Sequence, residues 1–204
     1  STLTTTIVVT NTTDSGPGSL RNAIGAAQPG ATIAFSLPVN STIILSNGEL
    51  TVTVPITLDG STASSLVIDA NHASRVISAT APLMIRSLSI LNGSAPDGGG
   101  IYATAALTLS EVVLSGNAAT NNGGGVYAAS TTTFDGGTLI NNTAKFGGGA
   151  YLLGSTSISG TQFYGNGVTN GGGGLLTHAP VSMTLAYFAG NSADNGAGLG
   201  TGGG

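Results

Sequence analysis

The segments GGGIYA (98–103), GGGVYA (123–128), GGGAYL (147–152), GGGGLL (171–176) and GAGLGT (196–201) start 25, 24, 24 and 25 residues apart. An offset series shares the period: Leu114-Ser-Gly-Asn117, Leu139-Ile-Asn-Asn142, Phe163-Tyr-Gly-Asn166 and Phe188-Ala-Gly-Asn191 place an apolar residue three positions before an asparagine, at spacings of 25, 24 and 25. A unit this short cannot bury its apolar face alone and must stack on copies of itself, which defines a solenoid. The units are rich in Gly, Thr, Ser, Val and Asn and alternate with period two, so they are β units and not helical repeats. The expected fold is all-β, a right-handed parallel β-helix with rungs of 24–25 residues. At about 4.8 Å per rung, roughly eight rungs make a rod of about 40 Å.

Aligning the repeats gives columns. Leu109, Phe134, Ile158 and Met183 form one, Leu114, Leu139, Phe163 and Phe188 a second, and Ile101, Val126, Ala150, Gly174 and Leu199 a third; together they are the expected core. Asn117, Asn142, Asn166 and Asn191 form a polar column, because Asn tolerates the left-handed turn conformation and its amides hydrogen-bond along a stack. Gly98–Gly100 and their equivalents supply corner positions of positive φ. Tyr102, Tyr127 and Tyr151 form an aromatic ladder at a corner, where packing outranks contact with sugars. These columns are read as structural.

One domain spans residues 1–204: a strand and helix over 1–30, irregular first rungs over 31–97, and regular repeats over 98–204. Leu20, Ile24 and Ala27 share a helical face, Ser15 or Ser19 caps its start and Pro29-Gly30 ends it. Such a helix covers the open end of the first rung, and Arg21 is a surface or capping residue there. Strands are expected within Ala31–Ser36, Ser41–Leu45, Glu49–Leu58, Ser65–Ile68 and Arg75–Ile90, between Pro and Gly breaks. At the other end, Thr201-Gly-Gly-Gly204 stops partway through a rung. Either more rungs follow or another chain covers the end, in which case the β-prone Ser1–Thr10 of a neighbour adds head to tail and builds a fibre.

The stretch from Val9 to Ile24, VTNTTDSGPGSLRNAI, the later LSILNGSA (88–95), and the GGGxY and (Leu/Phe)-x-x-Asn repeats resemble bacterial surface proteins of the polymorphic outer-membrane-protein and adhesin type. That resemblance covers nearly the whole chain and implies a secreted parallel β-helix used in adhesion or surface display. The chain departs from the family pattern in having Gly-Gly-Gly for Gly-Gly-Ala and Leu for Phe in two repeats.

Charge excludes other classes. Only 6% of residues are charged, the net charge is −4, and the cations are Arg21, Arg75, Arg86 and Lys145. No basic patch exists to neutralise a run of phosphates, so nucleic acid is not an expected partner. The absence of cysteine removes thiolate chemistry and disulfides. No apolar run is long enough to span a bilayer, and with no leader at Ser1 the chain reads as a mature or excised one. The acids Asp14, Glu49, Asp59, Asp69, Asp97, Glu111, Asp135 and Asp194 are scattered. The nearest to a catalytic group, as in lyases and hydrolases of this fold, is Asp59, Asp69, His72 and Arg75, for which a solvated loop is the better account. His72 and His178 lie about four rungs apart and cannot share a metal.

A file of hydroxyl pairs, Thr108 with Ser110, Thr133 with Asp135, Ser157 with Ser159 and Ser182 with Thr184, follows one strand outward. Ice-binding solenoids carry such files, but Asp135 interrupts this one. The expected function is therefore a non-enzymatic extracellular or cell-surface module, structural or adhesive, with no cofactor and no metal. The candidate partners are a second copy of the chain or surface glycans. A polysaccharide-binding or polysaccharide-cleaving β-helix and an ice-binding solenoid are the alternatives.

Overall fold

A computed structural model of the chain describes residues 5–193 and 198–201. The chain forms a parallel β-solenoid of about eight turns. Its longest sheet stacks Thr6–Val9, Ala31–Phe35, Ile56–Asp59, Leu83–Arg86, Leu107–Ser110, Thr132–Asp135, Thr156–Ser159 and Val181–Thr184 in chain order. A second sheet runs through seven strands from Thr42–Ile44 to Tyr187–Ala189, and a third through seven from Leu50–Val52 to Leu199–Thr201. Each turn from Ala31 onward visits the three sheets in that order. From Ser94–Asp97 onward a short fourth sheet is added between the second and third, continuing through Ala118–Asn122, Thr143–Ala144 and Gly167–Val168.

Parallel in-register pairing carries each inward residue onto its equivalent in the next turn. Ile33, Leu58, Ile85, Leu109, Phe134 and Ile158 form one buried column, and Ile43, Ile68, Ile90, Leu114, Leu139 and Phe163 form another. The rings in these columns meet, with Phe163 stacked on Phe188 at 4.6 Å between centroids and edge-on to Phe134 at 6.0 Å. In the third sheet Leu50, Ile77, Ile101, Val126, Ala150, Leu175 and Leu199 align. The expected place of Gly174 in this column is corrected: a fourth glycine in GGGGLL shifts the register by one, and Leu175 pairs with Ala150. Gly174 instead lies against the next turn, where an added methyl would meet Phe188, the Asn191 amide and the Gly198 carbonyl.

The first turn contributes a strand to the first sheet alone, and the helix Leu20–Ala26 follows that strand in the place of the other two. The helix packs on Thr6–Val9 and on Leu50–Val52, the end strand of the third sheet, and buries Leu20, Ala23 and Ile24 in the core. It covers the end of the solenoid, as expected, with Ser19 as its N-cap and Oγ accepting from the Asn22 amide. Arg21 is a clamp and not a free surface cation. Its guanidinium donates to Asp14 Oδ1 at 2.8 Å, to the Glu49 carbonyl at 2.7 Å and to the Gly48 carbonyl at 2.6 Å. The other oxygen of Asp14 accepts from the backbone amides of Ser46 and Asn47 at 2.9 and 2.6 Å and from the Asn47 side chain at 2.7 Å. Of the Ser1–Thr10 head in the expected head-to-tail addition, Thr6–Val9 form the end strand of the first sheet, paired with Ala31–Phe35, and Ser1–Thr4 and the tail Gly202–Gly204 lie outside the described residues.

Burial alone raises the Asp14 pKa, but the bonds from Arg21, Ser46 and Asn47 outweigh it and hold the carboxyl below its ordinary value of 3.8. A group depressed in the folded state contributes stability that is complete above the unfolded pKa and is lost as pH falls through the folded one. Acidification from pH 6 to 3 should therefore loosen the helix and the Ser46–Asn47 turn ahead of the later rungs. Amide-exchange protection factors along the chain check this, and Asp14→Asn should remove most of the pH dependence at those sites while lowering their protection at pH 6.

Candidate functional site

The regular turns carry two ladders with different chemistry, and the glycine corner lies between them. Inside, Asn117, Asn142 and Asn166 are fully buried. Asn142 shows the pattern. Its Oδ1 accepts from the backbone amide and the Nδ2 of Asn117 at 3.0 and 2.9 Å, and its own Nδ2 donates to Asn166 Oδ1 and to the Leu114 carbonyl at 3.0 Å each. Every donor and acceptor of that side-chain amide is used. The same set recurs at Asn166, which reaches Asn191 Oδ1 and the Leu139 carbonyl, and Asn191 donates in turn to the Phe163 carbonyl. The ladder starts where Gly93, one turn earlier, donates its amide to Asn117 Oδ1 at 2.8 Å.

These asparagines are not the left-handed residues that the sequence suggested. Positive φ falls on the position before each of them, at Gly116, Asn141, Gly165 and Gly190 with φ of 65°, 54°, 63° and 62°. The ladder position is occupied by Asn for its amide, since only a side chain with two donors and an acceptor on one short arm can bond the turns on both sides.

The glycine corner follows the fourth sheet. The expectation of positive φ across Gly98–Gly100 and the equivalent triplets holds only for the first glycine of each, Gly98, Gly123 and Gly147, with φ of 58°, 65° and 61°. Gly125 is needed for a different reason: a methyl there would sit 2.5 Å from the Gly149 carbonyl oxygen of the next turn. The corner is therefore a flat strip of backbone bordered by side chains on both sides.

On one border stand the tyrosines, half-buried and face to face. Tyr102 and Tyr127 stack with centroids 4.9 Å apart and planes 8° from parallel, and Tyr127 and Tyr151 follow at 5.6 Å and 5°. Arg75 closes one end, its guanidinium carbon 5.0 Å from the Tyr102 centroid while it also pairs with Glu49 and donates to the Asp97 and Gly98 carbonyls. At the other end the ladder breaks. Leu176 takes the tyrosine position, and the exposed His178 leans on Tyr151 at 5.1 Å with its plane tilted by 50°. Burial, then the neighbouring tyrosines and Asp97, push the Tyr127 hydroxyl up; burial and Asp97 do the same at Tyr151. Both remain neutral phenols at physiological pH.

On the other border stand the residues that directly precede each glycine triplet, in register from Asp97 to Asn122 to Phe146. Asp97 Oδ1 accepts from the Asn122 amide and side chain at 3.1 and 2.8 Å. Lys145 Nζ lies 5.5 Å from the Phe146 centroid. Between the two borders, where the tyrosine ladder ends, lies a cleft of about 360 Å³ lined by Asn122, Phe146, Tyr151, Gly171, Leu176 and His178. Only Tyr151 among these was a site residue by sequence. The sequence signal is x-GGG-x-Tyr, whose first and last positions bracket the corner; the first position changes type from Asp97 to Asn122 to Phe146 and so forms no column of like residues.

The other sequence candidates are dispersed. Asp59 ends a strand of the first sheet and Asp69 a strand of the second, and each accepts from the backbone amide two residues on, of Ser61 and Asn71. Asp69 also accepts from Asn92, and Arg75 is committed to Glu49 and the Tyr102 face. Asp59 is held below its ordinary value chiefly by its bond from Ser61. Among the described residues no three His, Asp or Glu side chains come together as a metal site, and no helix is long and apolar enough to cross a membrane. Asp194 lies outside the described residues.

The hydroxyl file extends toward the head of the chain but is interrupted by Met84: Thr6, Thr32, Thr57, Met84, Thr108, Thr133, Ser157 and Ser182 are in register along the first sheet. The file beside it is mixed, running Val8, Ala34, Asp59, Arg86, Ser110, Asp135, Ser159 and Thr184. No protein-family model matches the chain, and no curated protein matches it significantly.

The ladder geometry predicts the cost of breaking it. Asn142→Ala leaves the buried Asn117 backbone amide without its acceptor and removes one bond each from the Asn117 side chain, the Leu114 carbonyl and Asn166 Oδ1, at about 1–3 kcal/mol for each buried group left unpaired. Urea denaturation should show a loss of at least several kcal/mol, well beyond that of Asn121→Ala on the exposed surface of an adjoining strand.

Proposed function

We propose that the chain is a non-enzymatic structural and adhesive module of a secreted or cell-surface protein, a rod that presents ordered files of side chains to a partner. The observation that supports this most directly is the use made of the polar groups. The asparagines are spent on the internal ladder, Asp14 and Arg21 hold the helix, Arg75 closes the tyrosine stack, and Asp59 and Asp69 bond their own turns. The surface left over is sparsely charged and repetitive, which suits contact spread over many weak sites. The likeness of the VTNTTDSGPGSLRNAI head and the glycine and asparagine repeats to bacterial surface adhesins supports the same reading and an extracellular location.

Beads coated with the chain should adhere to glass bearing cell-wall polysaccharide or intact cells several-fold better than beads coated with albumin, and should release no new reducing ends or unsaturated sugars from those polymers. Adhesion no better than albumin, or steady product release that stops with Asp69→Ala, would overturn the proposal. A second reading, ice binding, is favoured by the hydroxyl file alone and opposed by the charged file next to it. Thermal hysteresis abolished by Thr133→Tyr would establish it in place of adhesion.

A further inference from the structure

The cleft at the end of the tyrosine ladder has the shape and chemistry of a binding site. Its volume of about 360 Å³ falls within the range of small-molecule clefts, about 300–1,000 Å³. Its position has a structural cause. In the turns containing Tyr102, Tyr127 and Tyr151 each ring is covered by the ring above or below, so the stack leaves little room. One turn further on, the pre-glycine position becomes Gly171 and the tyrosine position becomes Leu176, so both borders lose their ring at the same level. Phe146 and Tyr151 are then the last aromatic residues on their borders and line the space the next pair would have filled.

Resting on the adhesive reading above, we propose that this cleft binds one pyranose unit of a neutral glycan, of the glucose type whose equatorial hydroxyls leave flat C–H faces. The ring would take the level vacated at Gly171 and Leu176, with a C–H face toward Tyr151 and Phe146. Its hydroxyls would meet the two polar side chains of the rim. Asn122 donates its Nδ2 to Asp97, and its Oδ1 accepts no hydrogen bond among the described residues. His178 is exposed, makes no side-chain hydrogen bond among the described residues, and offers one donor and one acceptor when neutral. Near the cleft Asp97, one turn behind Asn122, and Lys145, over the Phe146 ring, offset one another, and the net charge of −4 leaves no excess of cations for phosphates or uronates. A hydroxyl-bearing ring satisfies both the apolar walls and the polar rim, and a purely apolar ligand satisfies the walls alone.

Affinity electrophoresis of the full chain through gels holding mixed-linkage β-glucan, xyloglucan, dextran or polygalacturonate tests this. Intrinsic fluorescence, which is tyrosine emission because the chain has no tryptophan, follows binding of the matching oligosaccharide. Retardation by at least one neutral glucan is expected, weakened about tenfold or more by Tyr151→Ala, as truncation of a central aromatic anchor does. His178→Ala, at an exposed residue outside the core, should weaken it as well, so the test stands even where Tyr151→Ala disturbs the stack. Tyr151→Phe, which keeps the ring, and Tyr164→Ala, on the exposed face of another sheet, should retain binding. No retardation by any neutral glucan, retardation by polygalacturonate alone, or binding unchanged in both Tyr151→Ala and His178→Ala overturns the cleft. Bead adhesion that persists in both variants rejects the cleft and leaves the adhesive reading standing, whereas failure of the unaltered beads to adhere rejects that reading itself.

Discussion

Backbone pairing between successive turns is the constraint on which the molecule depends. Each short strand satisfies its amides and carbonyls only through the turn on either side, since a unit of 24 or 25 residues has no partner strand within itself. Parallel register then forces like positions onto like positions about 4.8 Å apart, and every side chain must tolerate its own counterpart as a neighbour. This explains the composition. Charges stacked on like charges repel, whereas Ile on Ile, Tyr on Tyr and Asn on Asn attract, and 6% charged residues is what remains under that filter.

The asparagine ladder and the glycine corner are two solutions to one problem, the closing of each turn where a fourth sheet is inserted. In the second sheet, just before the inserted residues, the carbonyls of Ile90, Leu114 and Leu139 each accept from the asparagine side-chain amide of the next turn. The chain must then turn sharply at a point where the neighbouring turn also turns, which brings backbone against backbone and admits no Cβ at Gly100 or Gly125. Earlier turns, up to Ile77–Ala79, lack the fourth sheet and run from the second sheet to the third through a different loop. The first asparagine of the ladder therefore appears one turn after the first fourth-sheet strand, with Gly93 donating to it.

Most of this fold is legible in the sequence because its interactions repeat at a fixed spacing. The Leu114 and Leu109 columns, the helix at Leu20 and the tyrosine stack each followed from period and residue type. Two errors have one cause, that a periodic pattern fixes a column without fixing its phase or its backbone conformation. Aligning GGGGLL on its first glycine put Gly174 where the pairing with Ala150 puts Leu175, and reading Asn117 as a turn residue assigned it the conformation that belongs to Gly116. The cleft was harder to see. It arises from Asn122 and Phe146, which share no residue type, set across the corner from Tyr151, and from a histidine two residues beyond a broken repeat. No count of similar residues finds a site made from dissimilar ones.

That difference bears on where function can reside in a solenoid. Within an unbroken column the choice of residue is dictated by its neighbours above and below: replacing Tyr127 removes ring contacts on both faces, and replacing Asn142 strands groups in two turns. Where a column ends, the last residue keeps one free face and the next position is released from the stacking requirement. Tyr151 is such a residue, stacked on Tyr127 on one side and met on the other by no second phenol ring but by a tilted imidazole, with Leu176 in the tyrosine position. The free face of a terminal ring is apolar surface that the repeat itself holds in place, since the rings beneath it fix its orientation and remove the entropy cost of ordering it on binding. The aromatic ladder therefore acts as more than packing: its interior members set the position of its last member, and a preorganised binding face is created at the level where the repeat fails.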